Sequence, residues 1–181
     1  MSDSERMIPI SQAVRMLTTG FEWEAGLFYE VYRELCKRVS KDEARKLMAK
    51  AMYRAGLKLG QEARAMVHRD DAVGMAKAWD IIYGAGTKEA KKLDKDHFVF
   101  QAQGCAAFEL FKRWGMSDEE ICFIGDAYCA GDVGQAEGFG EKLNFQHTHR
   151  LMKGDKCCEW VYSTYPQESV ESAVPTEDLK E

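Results

Sequence analysis

Residues 97–115, HFVFQAQGCAAFELFKRWG, contain the transition that decides the fold. In the first part, Phe98, Phe100 and Ala102 alternate with the residues between them, and a period of two predicts a β-strand. Gly104 then ends the strand, and the stretch from Cys105 has the pattern of a helix closed by Gly115. A strand followed at once by a helix predicts that this part of the chain combines both element types.

The residues upstream of this stretch predict helices. Residues 22–39 have apolar side chains at helical spacing, and a short helix is predicted before them at residues 9–17. Ser40 and Glu43 have the spacing of a capping box, which starts a second helix over residues 42–66. A third helix is predicted for residues 70–86. This half contains no evident set of catalytic residues.

The residues downstream predict further helix and a hairpin. Ser117 and Glu120 form a second capping-box pattern, which starts a helix over residues 118–128. The glycine-rich stretch 129–140, CAGDVGQAEGFG, predicts a loop, and it lacks the pattern of a phosphate-binding loop. Residues 143–151 and 157–165 then predict two strands that are joined by the turn KGDK.

Together these elements predict an α+β fold in a single domain over residues 1–181. An N-terminal helical region, residues 8–86, precedes a small antiparallel sheet packed with helices, residues 96–163. Residues 166–181 are acidic and rich in serine, so we expect a flexible tail there.

The composition excludes several classes of function. The net charge is -5, whereas nucleic-acid binding needs a concentrated basic face, so no nucleic-acid partner is predicted. The sequence has no apolar run of membrane-spanning length and no apolar signal core near its N-terminus, so we predict a cytoplasmic protein without a membrane partner. Six cysteines in a reducing compartment are expected to be free thiols. The long amphipathic helices are compatible with a homo-oligomer.

Cys105 is the first candidate for chemistry, because it stands where a strand ends and a helix begins. The helix dipole and the free N–H groups there stabilise a thiolate, which can attack an electrophilic carbon. The alternative is a small buried residue that packs the helix start.

Cys129 and Asp132 form a second candidate, with the spacing C-x-x-D in the predicted loop. A thiol and a carboxylate there can hold a substrate amino group or position a water molecule. The alternative is that Asp132 caps its own turn.

His147 and His149 are predicted on the same face of a strand, where two imidazoles can bind one metal ion. The further ligands would come from Cys158, Asp132 or Glu159. Imidazole near a thiol can equally act as a general base, and a histidine on an apolar face can be a hydrogen-bonded core residue. No cofactor is predicted beyond this alternative metal.

Three segments together resemble the L-2-amino-thiazoline-4-carboxylic acid hydrolase-like family: QGCAAFELFKRWG, CAGD and HTHRLMKGDKCCEW. The family pattern has a cysteine that opens a helix after a strand, a C-x-x-D and a closing G-D-x-x-C-[DE]-aromatic hairpin. Here these are Cys105, Cys129 with Asp132, and the hairpin from Gly154 to Trp160. The resemblance covers residues 96–163, and the paired histidines lie outside the family pattern.

The resemblance implies a hydrolase that opens a C–N bond of a cyclic amidine, with a small molecule as its substrate. A thiolate, or a water activated by histidine or aspartate, would attack the C=N carbon, with Cys105, Cys129, Asp132 and His147 as catalytic residues. Arg150 would bind a substrate carboxylate, and the other predicted substrate-binding residues are His149, Cys158, Trp160 and Phe100.

Two alternatives to a hydrolase stay open. The first is a ligand-binding or sensing module without chemistry, since the chain is also, more loosely, similar to 4-vinyl reductase domains. Its aromatic residues, Phe98, Phe100, Trp160 and Tyr162, would line a mostly apolar pocket. The second is a metal-binding protein that uses His147 and His149.

Overall fold

The computed structural model describes residues 9–83, 89–140 and 142–164, together with Leu179. The elements in chain order are α1 (Ile10–Leu35), α2 (Lys41–Val67), α3 (Ala72–Tyr83), β1 (Glu89–Leu93), β2 (His97–Ala102), α4 (Ala106–Arg113), α5 (Asp118–Phe139), β3 (Asn144–His149), a 3-10 turn (Leu151–Lys153) and β4 (Cys158–Ser163). The predicted α+β class is confirmed. Within the described ranges, no helix combines the length and apolarity needed to cross a bilayer.

The first helix is longer than the sequence patterns predict. The predicted short helix at 9–17 and the helix at 22–39 are one continuous element, α1. The residues between them contain two threonines, and the Thr18 and Thr19 hydroxyls each donate a hydrogen bond to a carbonyl oxygen four residues earlier at 2.9 Å. These bonds satisfy the hydroxyls on the preceding turn, so the helix continues through them.

The two predicted helix starts are confirmed by their caps. The Ser40 hydroxyl accepts a hydrogen bond from the Glu43 N–H at 3.2 Å at the start of α2. At the start of α5, Ser117 accepts from the Glu120 N–H, and the Glu120 carboxylate accepts from the Ser117 N–H at 2.9 Å. Each cap satisfies amides that have no partner within the first helical turn.

The predicted glycine-rich loop at 129–140 is wrong, because α5 continues as a helix to Phe139. Its glycines allow α2 and α5 to touch through their backbones. A methyl group on Gly134 would overlap the carbonyl oxygen of Tyr53, and one on Gly56 would overlap the carbonyl oxygen of Gly131. The glycines therefore permit close helix packing. Sequence rules alone treat a cluster of glycines as a sign of a turn.

The four strands form one antiparallel sheet in the order β1-β2-β4-β3. The sequence patterns missed β1, because all five of its residues are exposed and show no alternation. A charged strand at an edge discourages pairing with other molecules. In the centre of the sheet, Phe100 of β2 lies opposite Trp160 of β4.

The predicted closing hairpin is confirmed as β3 and β4, but its connection is longer than a tight turn. It contains the 3-10 turn and then Gly154, whose positive φ of 89° is accessible to glycine. A β-bulge interrupts the pairing of β3 with β4 between His147 and His149. Bulges change the direction in which the following side chain points.

The buried residues form two clusters. The helical cluster joins α1, α2, α4 and the first half of α5, and the sheet cluster joins α3, the inner sheet face and the end of α5. Cys105 packs against both clusters. The predicted flexible tail, 166–181, and the predicted helix end at residues 84–86 lie outside the described residues, apart from Leu179, which is buried in the helical cluster.

Candidate functional site

A cavity of about 420 Å³ lies between the helices and the sheet. Residues from α1, α2, α3, α4, α5 and the β3–β4 hairpin line it, so it lies at the junction of the two clusters. The polar or reactive side chains in its wall are Glu24, Tyr83, Cys105, Tyr128, Cys129, Asp132, Gln135, His147, Arg150 and Cys158. Apolar and aromatic side chains, including Phe21, Met52, Trp79 and Trp160, form most of the remaining wall.

A second depression, of about 510 Å³, lies on the surface near the end of α2. Its wall is formed by Gln61, Arg64, Ala65, His68, Arg69 and Asp70, and none of the candidate residues lines it. The predicted catalytic residues line the inner cavity instead.

Cys105 occupies the position that the sequence predicts, between the end of β2 and the start of α4. It is the N-cap residue of α4, its backbone is extended, and its side chain makes no capping hydrogen bond. The residue is half-buried and lines the cavity. The Cys105 side chain is therefore at the positive end of α4 and within reach of a bound ligand.

Cys129 and Asp132 also line the cavity, but they lie within α5 rather than in a loop. Their spacing of three residues places both on one face of the helix. The indole N–H of Trp160 donates a hydrogen bond to Asp132 Oδ2 at 3.2 Å. The predicted alternative, that Asp132 caps its own turn, is wrong because this residue lies inside the helix and receives the indole N–H from β4.

His147 and His149 do not share a surface, because the bulge in β3 separates them. His147 lines the cavity, and its Nδ1 lies 3.9 Å from Asp132 Oδ2. The His147 ring also stacks on Trp160, with 4.8 Å between the ring centroids. His149 is exposed, and its Nδ1 lies 3.4 Å from Glu159 Oε1. The predicted H-x-H metal pair is therefore wrong, since the two imidazoles face different surroundings.

Three predicted substrate-binding residues line the cavity: Arg150, Cys158 and Trp160. Arg150 Nη1 is 2.5 Å from Asp126 Oδ1, so part of its charge is already neutralised. Cys158 Sγ accepts the Leu151 N–H at 3.4 Å. The other two, His149 and Phe100, are not in the cavity wall. Phe100 is 1% exposed and stacks beneath Trp160, because β2 turns it into the sheet cluster.

Two carboxylates, Glu24 and Asp132, line the cavity, and the Arg150 guanidinium in the same wall is paired with Asp126. Loss of solvation, and then the charge of Asp132, raise the pKa of Glu24 above its usual value, although this residue remains accessible at the cavity edge. The same two causes raise the pKa of Tyr83 to about 12. The negative charge of Asp132 therefore favours a positively charged or proton-donating group beside it.

Burial and the charge of Asp132 also change the pKa values of two thiols in the cavity wall. Loss of solvation, followed by the charge of Asp132, raises the pKa of Cys129 well above its ordinary value. Burial raises the pKa of Cys158 to about 12. Both groups are thiols at neutral pH, and a thiol is a much weaker nucleophile than a thiolate.

The sequence interpretation missed several residues of the cavity wall. Glu24 comes from α1, in the half that was judged to be scaffold, and no motif marks it. Tyr83, Tyr128 and Gln135 are also in the wall, and Gln135 Nε2 lies 3.5 Å from the Tyr83 hydroxyl oxygen, at the limit for a hydrogen bond. The sequence contains one indication of Gln135, its spacing of three residues from Asp132. This spacing places the two side chains on the same face only if residues 129–140 form a helix.

Among the residues that the structure describes, one group of side chains has donor atoms close enough to hold a metal ion. A ligand atom from each of Cys129, Asp132 and His147 lies within 4.8 Å of the others. These are donor types that zinc prefers, and they come from α5 and β3.

Comparison with protein families identifies one match for this chain. The model described as L-2-amino-thiazoline-4-carboxylic acid hydrolase matches residues 20–162. The match includes the second part of α1 and most of the predicted helical region, whereas the motifs in the sequence marked only residues 96–163. No curated protein sequence matches the chain.

Two solved structures share the fold at low sequence identity. One is a trafficking protein particle complex subunit 3 from Naegleria fowleri covalently bound to palmitic acid, with a TM-score of 0.51, 12% identity and coverage of 80% of this chain and 95% of that chain. The other is the phenol-responsive sensory domain of the transcription activator PoxR with phenol, with a TM-score of 0.51, 15% identity and coverage of 77% and 73%. At these identities they show a common fold. The similarity to 4-vinyl reductase domains stays a prediction.

Proposed function

Since this chain belongs to the L-2-amino-thiazoline-4-carboxylic acid hydrolase family, we propose that it hydrolyses a C–N bond of a small cyclic amidine in the inner cavity. One observation supports this most directly. Cys105, Cys129, Asp132 and His147 come from α4, α5 and β3, and all four line the same cavity.

The size and charge of the cavity suit such a substrate. Its volume of about 420 Å³ is within the range of small-ligand sites. A cyclic amidine is positively charged when protonated, and Asp132 and Glu24 supply the negative charge that would hold it. The guanidinium of Arg150, at the same wall, would bind a carboxylate on the substrate.

The net reaction adds one water molecule across the C–N bond. The amidine carbon gains the oxygen of the water, and the released nitrogen keeps the electron pair of the broken bond and takes a proton. Two nucleophiles are available at the cavity wall: the Cys105 side chain, which would form a covalent intermediate, and a water molecule beside Asp132 and His147. The Asp132 carboxylate and the His147 imidazole are groups that can move the protons.

Turnover of L-2-amino-thiazoline-4-carboxylic acid and related cyclic amidines tests this function. The product is expected to gain the mass of one water. Asp132→Asn is expected to lower kcat/KM by about 100-fold or more, because it removes a charge that both orients the substrate and assists proton transfer. Cys105→Ala would have a similar effect if the thiol is the nucleophile, and mass spectrometry of quenched reactions would detect the covalent adduct.

The matched control is Cys122→Ala, since Cys122 is another half-buried cysteine but is absent from the cavity wall. It should retain the wild-type rate. Absence of turnover across a panel of cyclic amidines, or full activity in Asp132→Asn, would contradict the proposal.

A second candidate function is the binding of an apolar small molecule without chemistry. The supporting observation is the largely apolar wall, in which Phe21, Met52, Trp79 and Trp160 take part. The two proteins of similar fold were solved with palmitic acid and with phenol. This function predicts that phenol or a fatty acid binds and that Cys105→Ala leaves the affinity unchanged. Turnover that depends on Asp132 would reject it.

A further inference from the structure

We propose that Cys129, Asp132 and His147 form a divalent-metal site in the cavity wall, and that zinc is the ion that fits it. The existence of the site follows from the geometry of the three side chains. Its role in catalysis rests on the proposed hydrolytic function.

The distances between the donor atoms are close to those that a tetrahedral zinc ion requires. Zinc–ligand bonds of about 2.0–2.3 Å place two ligands of one ion roughly 3.3–3.8 Å apart. His147 Nδ1 and Asp132 Oδ2 are 3.9 Å apart, and the three donor atoms lie within 4.8 Å of one another. Small rotations of the Cys129 and Asp132 side chains would therefore complete the site without movement of the backbone.

The three ligands lie in regular secondary structure, which restricts the movement of their backbones. Cys129 and Asp132 are one turn apart in α5, whose backbone packs directly on α2. His147 is paired with Trp160 across the β3–β4 ladder, and the bulge that follows directs His149 away. Only His147 therefore faces the cavity. In a strand without the bulge, His147 and His149 would point to the same face of the sheet.

Trp160 provides a second and independent observation. Its ring stacks on the His147 imidazole, and its N–H donates to Asp132 Oδ2. One side chain therefore fixes the orientation of two of the three ligands. Outer groups that orient ligands in this way are a general feature of metal sites.

Three protein ligands leave one coordination position for water or substrate, which is the arrangement of catalytic zinc sites. All three ligands line the cavity, so that position is accessible to a bound amidine. With Asp132 and His147 bound to the ion, these two side chains would act as ligands and would not move protons. The ion would lower the pKa of its water, and the Glu24 carboxylate would accept the released proton in their place. The hydroxide oxygen would then bond to the amidine carbon, the C–N bond would break, and the leaving nitrogen would take the proton from Glu24.

Metal binding can be measured without any assay of turnover. The purified chain would be stripped with a chelator, dialysed against zinc or cobalt(II), and analysed for metal by mass spectrometry. We expect one ion per chain and, for cobalt(II), a charge-transfer absorption band from the Cys129 thiolate. Cys129→Ser should abolish that band, and His147→Gln should weaken zinc affinity by at least about 10-fold.

The matched controls are Cys122→Ser and His149→Gln, which replace the same residue types outside the three-ligand group. Both should keep the ion and the cobalt band. Far-UV circular dichroism would verify that each variant is folded, and Cys129→Ser is the conservative change should His147→Gln fail to fold. The proposal is overturned if the wild-type chain binds no stoichiometric ion, or if His149→Gln loses the ion and His147→Gln retains it.

Turnover distinguishes the two proposals. If the metal-free chain hydrolyses cyclic amidines at the full rate, the catalytic role of the ion is wrong while the proposed function stands. If the ion binds through these three residues and no amidine is hydrolysed, the metal site stands and the proposed function is wrong.

Discussion

Cys157 and Cys158 are neighbours in the sequence but differ in environment, because β4 begins at Cys158 and turns that residue inward. Cys157 is half-buried, whereas Cys158 is 4% exposed and lies in the cavity wall. The adjacent pair therefore does not form one site, as the alternation of strand residues predicts.

Alkylation with iodoacetamide should distinguish these two thiols. Burial raises the pKa of Cys158 to about 12, so at pH 8 almost none of it is the reactive thiolate. We expect the native protein to be modified at Cys157 well before Cys158, as located by fragmentation of the peptide that contains both. In denaturant the two rates should become similar. Comparable native rates would show that Cys158 is more accessible than the structure indicates.

At this scale the sequence predicts some site residues and not others. Cys105 and Asp132 could be singled out because a strand–helix junction and a C-x-x-D spacing place reactive groups in a defined way. His149 was assigned to the same face as His147 because the bulge in β3 has no sequence signal. Glu24 was missed because its role depends on how α1 packs against α5, which local patterns do not contain.

At the scale of elements, the backbone contact between α2 and α5 can be tested by substituting a glycine in it. Gly134→Ala would place a methyl group on the Tyr53 carbonyl oxygen, and backbone cannot move aside as a side chain can. We expect a loss of about 3 kcal/mol or more in the free energy of unfolding, at or above the usual cost of overpacking. Urea denaturation would measure it.

Gly20→Ala is the matched control, because Gly20 lies inside α1 and, apart from adjacent residues and the backbone of its own helix, no atom lies within 4 Å of the new methyl group. Alanine has the higher helix propensity, so this change should stabilise the protein by about 0.5–1 kcal/mol. Equal effects of the two substitutions would contradict the backbone contact between α2 and α5.

The β1–β2 hairpin depends on the ionisation of Asp94. The Asp94 carboxylate accepts hydrogen bonds from the N–H groups of Asp96 and His97 at 2.9 and 2.8 Å. These bonds, the one from Asp96 above all, lower the pKa of Asp94 to about 2. A lowered pKa stabilises the fold above the unfolded-state value of about 3.9, and this contribution is lost as the pH falls through about 2.

Asp94→Ala should therefore reduce the pH dependence of stability between pH 4 and pH 2, as followed by urea denaturation at several pH values. Carboxyl chemical shifts in an NMR titration would report the pKa directly. Lys58→Ala is the control, since Lys58 is exposed on α2, outside this hairpin, and should leave the dependence unchanged. An Asp94 pKa near its unfolded value would contradict the turn geometry.

Elements were predicted well where periodicity is strong, as in α2 and in the β3–β4 hairpin. Elements were predicted wrongly where one residue type occurs in two kinds of structure. The glycines of 129–140 indicated a loop because the rules give glycine to turns, whereas here they permit close packing of helices. The strand β1 had no apolar alternation to detect, since it is exposed on both faces.

At the scale of the whole molecule, the two clusters share elements and should not unfold separately. The residues of α5 contribute Ile121 and Ile124 to the helical cluster and Phe139 to the sheet cluster, and α2 likewise contributes to both. The α+β class followed from the sequence because helix and strand periods occupy separate parts of the chain. The packing of the helical cluster against the sheet cluster could not be predicted from the sequence, because it depends on contacts between residues that are distant along the chain.

We therefore expect one cooperative unfolding transition. Far-UV circular dichroism reports the helices, while fluorescence reports the four tryptophans, of which Trp79 and Trp160 are in the sheet cluster. The two urea midpoints should coincide. A Trp23→Phe variant would remove the signal of an indole that is 75% exposed, and it should not change the midpoint. Two separate midpoints would reject the prediction of a single domain.

The glycine contact between α2 and α5 also affects how the cavity receives a ligand. Gly56 and Gly131 form part of the cavity wall, and at these two positions the wall is main chain, beside the side chains of Met52, Ala55 and Leu59. Main-chain atoms have no side-chain rotamers to restrict, so this part of the wall loses no side-chain conformational entropy when a ligand binds and is preorganised. It also cannot rearrange to enlarge the space. Selection among ligands on this side should therefore depend on shape, with a steep loss of affinity once a ring substituent reaches the helix backbone.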